Sequence, residues 1–559
     1  MLLIILIGLT NCSEKDQSLE PYLTLSANTI QFSNTGGAQM ITIKSNIEIT
    51  VLSDLPWCNV TIEDVTIGSD GYFFTQLVVT VKANSEPANR STSITINASG
   101  ISKTINVSQS LNYKLSLSKS NYEVSHIGDT IEIELKTTGI YEVSTDVSWI
   151  IHQEDSRSLS DKTESFIIRP NSATSPREGS ISFKLNDISE NVKVKQEANN
   201  NSSMLTDAMT MASAMTIGWN MGNSLESTDG TSASETMWGN PKVTKELINA
   251  IKAAGFNSIR IPVAWNAYIE DHSTHKISDS WLDRVEEVVN YCLENDMYTI
   301  INIHWDGGWL ENNCTPNKQI ENNIKQHALW TQIAMHFRDY EENLLFAGTN
   351  EPNVENSTQM GVLNSYLQSF IDAVRSTGGN NIYRNLIIQG PSTDIYTTNE
   401  LMHTLPIDWV EKRLMLEIHY YSPWNFCGME QDESWGKMFY FWGNGYHFDN
   451  SNRNADWGEE DFVNSQFTLM KSKFINKDIP VILGEYGAIK RNLLTEAEQA
   501  AHEASRLYYL EYVTRSAKDY GLIPFYWDNG ASSSRIFNRN NNTIIDQLTL
   551  NALMNGVTK

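Results

Sequence analysis

The second part of the chain, roughly residues 205–559, alternates between short apolar strands and amphipathic helices, and this alternation constrains the fold more than any other feature. The helical pattern at 243–254 precedes a strand pattern at 258–263, and the helical pattern at 281–293 precedes another at 298–303. Strands separated by helices call for a parallel sheet with helices packed outside it. About eight such units predict an α/β (β/α)8 TIM barrel with long loops.

A doubly wound sheet is the other fold with this alternation. Its usual signature is a glycine-rich phosphate-binding turn after the first strand, and the sequence has none there. The barrel is therefore the preferred interpretation.

Residues 21–197 have a different hydrophobic pattern. In short runs between turn residues, β-branched side chains alternate with polar ones. The runs at 41–43, 94–96 and 131–135 are examples. This pattern predicts all-β, immunoglobulin-like sandwiches.

The β region also repeats itself with an offset near 90 residues. Four pairs of matching positions carry the repeat: Leu23-Thr24-Leu25-Ser26 with Leu115-Ser116-Leu117-Ser118, Trp57 with Trp149, Arg90 with Arg177, and Val107-Ser108-Gln109 with Val194-Lys195-Gln196. The repeat predicts one sandwich at 21–110 and a second at 111–197, joined to the barrel by a polar linker at 198–204.

Trp57 and Trp149 have two interpretations. Each could be a platform on which a sugar ring stacks, or each could anchor the core of its sandwich. Repetition at the same internal position favours the core anchor. The sandwiches are therefore expected to act as a spacer at least as readily as a binding module.

The N-terminus is predicted to be an export signal and tether, at residues 1–20. An apolar run at 1–9 is followed by Cys12 and then by a polar segment. This arrangement resembles a bacterial lipoprotein box, which implies acylation of Cys12, attachment to a membrane and a location at the outer membrane or cell surface. A plain signal peptide is the alternative.

The composition excludes several classes of protein. The net charge of −26, from 41 Lys and Arg against 67 Asp and Glu, argues against a nucleic-acid partner. The longest apolar run is too short for a membrane span, which excludes a multi-span protein. The remaining cysteines have no zinc-ligand spacing: Cys58, Cys292, Cys314 and Cys427. We expect no metal, no cofactor and a monomer.

In a barrel of this kind, active residues project from the carboxyl ends of the strands. The apolar strand bodies end in polar and aromatic residues: Trp219, Asn223, Arg260, His304, Trp305, Asn350, Glu351, His419, Tyr421, Glu485 and Trp527. Two glutamates with histidine and tryptophan between them are difficult to explain by packing alone.

Glu351 and Glu485 suit glycoside hydrolysis. Breaking an acetal requires one protonated carboxyl beside the leaving oxygen and a second, ionised carboxylate at the anomeric carbon. The surroundings of the two groups must therefore separate their pKa values. Arg260 and Tyr421 are the candidates to keep Glu485 ionised.

These strand ends resemble glycoside hydrolase family 5, the cellulase family of retaining (β/α)8 enzymes, over residues 205–559. The β repeats resemble the Bacteroidetes-associated carbohydrate-binding often-N-terminal (BACON) domain. The motifs at 218–223, 304–309 and 420–426 are similar to the endoglucanase and xyloglucanase branch. Trp305 is a departure, since many relatives carry a second histidine there.

The resemblance implies a role for each of the matching residues. It makes Glu351 the acid/base and Glu485 the nucleophile. It assigns the remaining contacts as follows: Asn350 to the sugar 2-hydroxyl, Arg260 and Tyr421 to the nucleophile, and His304, His419 and Trp527 to the subsite of cleavage. The implied activity is cleavage within β-1,4-glucan chains such as cellulose, mixed-linkage glucan or xyloglucan.

Tryptophan supports a polysaccharide cleft, because 13 of the 15 tryptophans follow the β region. Six of them lie in or beside the strand-end loops, where a sugar chain would lie: Trp219, Trp238, Trp305, Trp309, Trp424 and Trp527. Of these, Trp219, Trp305, Trp309 and Trp527 are predicted to contact the substrate, as is Asn223. Trp281 and Trp330 fall on apolar helix faces and are expected in the core.

Three other interpretations compete with the glucanase. A metal-dependent hydrolase would show a His-x-His pair or an Asp cluster on an early strand, and strand one offers Trp219, Asn220 and Asn223 instead. A non-catalytic glycan-binding lipoprotein would be expected to lose one carboxylate, and both are present. A β-mannanase or xylanase of the same family is the main rival, because loop geometry decides the choice of main chain.

Overall fold

A computed structural model describes residues 20–53, 55–153, 162–200 and 203–558. Residues 1–19 of the predicted signal and tether, including the predicted lipidation site Cys12, lie outside the described residues. Within these ranges, no helix is both long and apolar enough to cross a membrane. The four cysteines in these ranges are buried free thiols, namely Cys58, Cys292, Cys314 and Cys427.

The first sandwich is built from two four-stranded sheets whose apolar faces pack together. Its strands in the described residues are β1 (Leu23–Leu25), β2 (Thr29–Phe32), β3 (Gly37–Ser45), β4 (Thr50–Ser53), β5 (Cys58–Ile67), β6 (Phe73–Val81), β7 (Arg90–Ala98) and β8 (Ile101–Gln109). One sheet has the order β1-β3-β6-β5 and the other β2-β8-β7-β4. The alternation of the sequence places Ile43, Leu77 and Ile94 in the core.

The second sandwich repeats this plan. Its strands in the described residues are β9 (Leu115–Leu117), β10 (Asn121–Val124), β11 (Asp129–Thr137), β12 (Glu142–Thr145), β13 (Ile150–Gln153), β14 (Lys162–Ile168), β15 (Arg177–Leu185) and β16 (Ile188–Gln196). The sheet orders are β13-β14-β11-β9 and β10-β16-β15-β12.

The repeated arginines and glutamines form the same clamp in both sandwiches. Arg90 Nε donates to Gln109 at 2.8 Å, and Arg177 Nε donates to Gln196 at 2.8 Å. Each guanidinium also donates to two backbone carbonyls of a neighbouring loop. The arginine and glutamine therefore recur in the sequence because each sandwich uses this pair to hold the neighbouring loop.

The repeated tryptophans lie where the core-anchor interpretation puts them. Trp149 is buried in the core of the second sandwich. Trp57 is half-buried, packs against the first core, and has the Arg90 guanidinium 4.4 Å from its ring centroid. Burial of Trp149, and the packing of Trp57 between the core and Arg90, favour the core-anchor interpretation.

Residues 203–558 contain a closed barrel of eight parallel strands. In order around the barrel they are β17 (Gly218–Met221), β18 (Ser258–Ile261), β21 (Tyr298–Asn302), β22 (Leu344–Ala347), β23 (Leu386–Gln389), β24 (Leu414–Tyr420), β25 (Val481–Tyr486) and β26 (Leu522–Asp528). Two hairpins lie outside it, β19 (Ile269–Asp271) with β20 (Lys276–Ile277) and β27 (Phe537–Asn538) with β28 (Thr543–Ile544).

Helices accompany the strands along the chain. They are α1 (Ala208–Ala214), α2 (Lys245–Ala253), α3 (Asp279–Leu293), α4 (Gln319–His336), α5 (Ser357–Ser376), α6 (Ile395–Leu401), α7 (Trp424–Cys427), α8 (Glu460–Lys473), α9 (Glu496–Tyr520) and α10 (Gln547–Thr558). Trp281 on α3 and Trp330 on α4 are buried, as their apolar faces predicted.

The inside of the barrel has two layers of different chemistry. Near the amino ends of the strands, apolar residues such as Ile300, Leu345 and Ile482 pack against α1. Nearer the carboxyl ends, the inward positions are polar and buried, namely Asn220, Arg260, Asn302, Gln389 and Glu417. The apolar layer supports a polar layer on which the site is built.

The predicted linker at 198–204 is not a free tether along its whole length. Met204 is fully buried with Tyr383 and Val410, and its carbonyl accepts a hydrogen bond from Arg413. Packing of the barrel part therefore begins at least one residue before the predicted boundary.

Candidate active site

Strand alternation decides which strand-end residues face the interior. On β17, Asn220 points inward, where its side-chain amide donates to the Gly484 carbonyl at 2.8 Å. Its neighbour Trp219 points outward, is fully buried and packs edge-on against Phe537. The prediction that Trp219 contacts substrate is wrong, because successive side chains of a strand face opposite sides of the sheet.

A bulge in β25 aims Glu485 into the barrel. Ile418 of β24 pairs with Leu483, but the next residue, His419, pairs with Glu485, so Gly484 is the extra residue. Bulges of this kind re-aim side chains and are frequent beside active sites. Gly484 has no side chain because a Cβ there would lie 2.1 Å from a carboxylate oxygen of Glu417.

Glu485 is held by the two residues proposed for it. Arg260 donates from Nη1 to one oxygen at 2.9 Å, and the Tyr421 hydroxyl donates to the other at 3.1 Å. Burial raises the pKa of Glu485, while the positive charges of His419 and Arg260 oppose that shift. These donors favour the ionised form, which a nucleophile needs.

Glu351 follows β22 and faces solvent more than Glu485 does, with side-chain exposures of 41% and 7%. His419 Nδ1 lies 2.6 Å from a Glu351 oxygen. Burial alone would raise the pKa of Glu351, but the hydrogen bond and charge of His419 outweigh it and hold that pKa below its usual range. In the ligand-free enzyme the proton of this pair therefore resides on His419.

The two glutamates are close enough for a double displacement. An oxygen of Glu351 and an oxygen of Glu485 lie within 4.8 Å of each other, with His419 Nδ1 inside the same radius. Retaining glycosidases place their carboxyl groups about 5–5.5 Å apart and inverting ones about 6.5–9.5 Å apart. The separation fits retention of configuration.

Asn350 is locked between two partners. Its side-chain oxygen accepts from Arg260 Nη2 at 2.8 Å, and its amide donates to Glu311 at 3.4 Å. Glu311 also accepts the backbone N–H of Glu351 at 3.2 Å. Burial and the negative charge of Glu351 raise the pKa of Glu311 to about 8. Glu311 was not predicted from the sequence, because it belongs to a short helical turn, Glu311–Asn313, without strand periodicity.

Glu417 was also missed, although it lies two residues before His419 on β24. It is almost completely buried, with an oxygen 2.8 Å from Arg260 Nε and 3.3 Å from His419 Nε2. Its position was nevertheless a usable signal, because residues i and i+2 of a strand face the same side of the sheet, and Glu417 therefore faces the same side as His419. A charged residue on the inward face of an otherwise apolar strand needs a buried partner.

His304 and Trp527 form one wall of the site. Their rings are stacked with centroids 5.8 Å apart. Burial, followed by the charges of Arg260 and His419, keeps the pKa of His304 well below its usual range. A neutral imidazole beside an indole face provides both a hydrogen-bonding edge and an apolar surface for a sugar.

The other predicted contacts lie in the surrounding loops. Trp309 is half-buried, donates to Asp306 at 3.0 Å and has the Lys325 ammonium 4.2 Å from its ring centroid, so one ring face is occupied. Trp305 is half-buried. Asn223 has a left-handed backbone (φ 58°), a conformation that asparagine tolerates, so it has a turn-forming role.

Exposed aromatic rings occupy the long loop between β24 and α8. Trp424 and Trp435 are 49% and 62% exposed, and Trp424 stands edge-on to Tyr421 at 6.2 Å. Trp238, after β17, is 41% exposed. Exposed rings of this kind are surfaces on which sugars can pack, and Trp435 was not singled out from the sequence.

The family model for cellulase, described as glycosyl hydrolase family 5, matches residues 220–533. This range contains both glutamates and the residues that contact them. The chain belongs to glycosyl hydrolase family 5. BACON, described as a putative N-terminal binding domain, matches residues 47–110 and 139–197. The resemblances to glycoside hydrolase family 5 and to BACON domains, and the predicted fold class, are confirmed.

The similar proteins are endoglucanases and xyloglucanases. Endoglucanase A of Paenibacillus barcinonensis is 38% identical over 63% of this chain and 90% of its own length. A xyloglucan-specific endo-β-1,4-glucanase of Bacteroides ovatus is 38% identical over 63% of this chain and 70% of its own.

Solved structures agree with this grouping. The Bacteroides ovatus family 5 xyloglucanase, in complex with a XXXG heptasaccharide, has a TM-score of 0.62 at 32% identity, covering 80% of this chain and all of that one. The family 5 xyloglucanase of Paenibacillus pabuli has a TM-score of 0.58 at 38% identity, covering 62% of this chain and all of that one.

Proposed function

We propose that the barrel is a retaining endo-β-1,4-glucanase that cleaves xyloglucan and related β-glucans. The observation that carries this proposal is the pair of carboxylates, Glu351 and Glu485, within 4.8 Å at the mouth of a family 5 barrel. Both groups are held at the ends of rigid strands, Glu485 by Arg260 and Tyr421 and Glu351 by His419.

In the proposed mechanism each glutamate has one role. Glu485 attacks the anomeric carbon while Glu351 gives a proton to the departing oxygen, and a covalent glycosyl-enzyme forms. Glu351, now ionised, takes a proton from a water that attacks the same carbon and releases the sugar. Two inversions give net retention.

The substrate class follows from the relatives and the loops. Two of the similar proteins are named as xyloglucan enzymes, and one was solved with a heptasaccharide. Trp424 and Trp435 offer exposed ring faces along one loop, where successive sugars of a chain could pack. The charge of −26 suits a neutral substrate.

A substrate panel tests the proposal. We expect reducing ends to be released fastest from xyloglucan, more slowly from lichenan and carboxymethylcellulose, and only at background rates from mannan and xylan. The Glu485→Ala variant, prepared in parallel, measures contaminating activity. NMR of the first product should show the β anomer. Faster cleavage of mannan or xylan, or an initial α anomer, would contradict the assignment.

We further propose that the chain is exported and anchored through acylated Cys12, on the support of the N-terminal sequence alone. Full-length protein expressed in a Gram-negative host is expected in the detergent-soluble membrane fraction. Cys12→Ser should move it to the soluble fraction, whereas Cys58→Ser, the control, should stay with the membrane. Equal partitioning of Cys12→Ser and wild type would refute the anchor.

A further inference from the structure

Glu417 is a buried carboxylate that the two-glutamate mechanism does not use. It lies on the inward face of β24 with 1% of its side chain exposed. One oxygen contacts both Arg260 Nε and His419 Nε2, and the other accepts from Gln389 at 2.6 Å. Burying a carboxylate is unfavourable unless it is paired and hydrogen-bonded, and here both conditions are met.

The surroundings keep Glu417 in place. Gln389 is itself fixed, because its side-chain oxygen accepts the backbone N–H of Thr349 at 2.9 Å. Gly484, immediately before the nucleophile, leaves the space that the Glu417 carboxylate occupies. The Glu417 carboxylate is therefore a fixed part of the barrel interior next to the catalytic glutamates.

His419 connects Glu417 to the chemistry. Its Nε2 faces Glu417 at 3.3 Å, and its Nδ1 lies 2.6 Å from Glu351 and 3.8 Å from Glu485. Burial disfavours the charged imidazolium, but these carboxylates outweigh burial and raise the pKa of His419 to about 10. Both ring nitrogens then carry protons.

Arg260 and His304 are the other ionisable groups that bear on the charge of His419. Arg260 opposes a positive charge on His419, and the neighbouring His304 is neutral because its pKa is well below the usual range. Three carboxylates, from Glu351, Glu417 and Glu485, therefore face the cations of Arg260 and His419. Among them, only Glu351 is substantially open to the cleft.

We propose that Glu417 is a positioning residue that keeps His419 doubly protonated, so that His419 loads Glu351 with the proton needed for the leaving group. The inference rests on the proposed glucanase function and deepens it. A bound sugar chain covers the exposed side of Glu351 and removes water from it. Desolvation then favours the neutral acid, and the proton moves from the imidazolium.

The proton balance closes over one catalytic cycle. The Nδ1–H bond of His419 breaks as an O–H bond forms on Glu351, leaving a neutral imidazole whose Nε2–H points at Glu417. Glu351 passes this proton to the leaving oxygen. In the second step Glu351 takes a proton from the attacking water and returns it to Nδ1 when the product leaves.

Glu417→Gln tests the proposal, because it removes the charge and keeps the shape. We expect kcat/KM on xyloglucan to fall about 10- to 100-fold. On 2,4-dinitrophenyl β-cellobioside, whose leaving group needs no proton, it should change by less than about threefold. The alkaline limb of the xyloglucan profile should move down by about one pH unit, since a neighbouring negative charge is lost.

Glu235→Gln is the matched control, because Glu235 is a buried carboxylate paired with Arg284 at 2.8 Å. It should leave the ratio of the two activities and the pH profile unchanged. Glu417→Asp, which keeps the charge, should restore most of the alkaline limb. An equal loss on both substrates, or an unmoved alkaline limb in Glu417→Gln, would overturn the proposal.

A second measurement needs no Glu417 variant. In wild-type protein labelled with ¹⁵N-histidine, the His419 resonances, assigned with His419→Gln, should report two protonated nitrogens without ligand. A bound xyloglucan oligosaccharide should deprotonate Nδ1, and an unchanged Nδ1 would also overturn the proposal. Wild-type cleavage of xyloglucan tests the glucanase function independently, because that outcome does not depend on the role of Glu417.

Discussion

Replacing Glu485 with alanine is expected to lower kcat on xyloglucan by about 10⁴-fold or more, because the substitution removes the carboxylate that forms the glycosyl-enzyme. Glu485 is the carboxylate that both Arg260 and Tyr421 hold. Binding of a xyloglucan oligosaccharide, measured by calorimetry, should be largely retained, since the aromatic walls are unchanged. The thermal unfolding transition of the barrel shows whether the variant is folded.

Azide provides the decisive control for Glu485→Ala. The small anion fits the space of the missing carboxylate and attacks the anomeric carbon of an activated aryl β-cellobioside directly. The product should be the α-glycosyl azide. Glu270→Gln, at an exposed glutamate of the β19–β20 hairpin, is the matched variant and should keep full activity. A Glu485→Ala enzyme that still cleaves xyloglucan at a substantial rate would show that the nucleophile is another residue.

Replacing Glu351 with alanine is expected to slow xyloglucan cleavage by about 10²- to 10⁴-fold, the usual range for loss of a general acid/base. The first step on 2,4-dinitrophenyl β-cellobioside should stay fast, because its leaving group departs without a proton. The glycosyl-enzyme should then accumulate, and stopped-flow absorbance should show a burst of dinitrophenolate.

Azide again distinguishes the roles, with the opposite stereochemistry. In Glu351→Ala it should attack the glycosyl-enzyme on Glu485, accelerate turnover and give the β-glycosyl azide. The alkaline limb of the pH profile should also disappear, since the group that must be protonated is gone. An α-glycosyl azide from this variant would mean that the assignments of Glu351 and Glu485 are reversed.

The general architecture was predictable because it depends on patterns that are local in sequence. The 3.6-residue periodicity of α2 and α3, with strands between them, indicated helices outside a parallel sheet. Two-residue alternation and the 90-residue repeat indicated two sandwiches. Trp281 and Trp330 were placed in the core from their helix faces alone, and both are buried there.

The direction of individual side chains was less predictable. Trp219 lies in a motif that resembles a substrate-binding one, yet it faces outward and packs against Phe537, while Asn220 faces the interior. Glu485 faces inward only because the bulge at Gly484 shifts the alternation by one residue. Bulges and strand limits are properties of the paired sheet, and a single strand sequence does not display them.

The two catalytic candidates were predictable from the amino-acid sequence, since glutamates at the ends of two apolar strands of one barrel meet at its mouth. The charges that surround them became visible only in the folded structure. Glu311 belongs to a short turn with no local signal, and for Glu417 the only local signal is its position two residues before His419 on β24. Both become part of the site because barrel closure brings Arg260 of β18 against Glu417 and Asn350, after β22, against Glu311. Buried electrostatics depend on distances between such groups, and those distances exist only after folding.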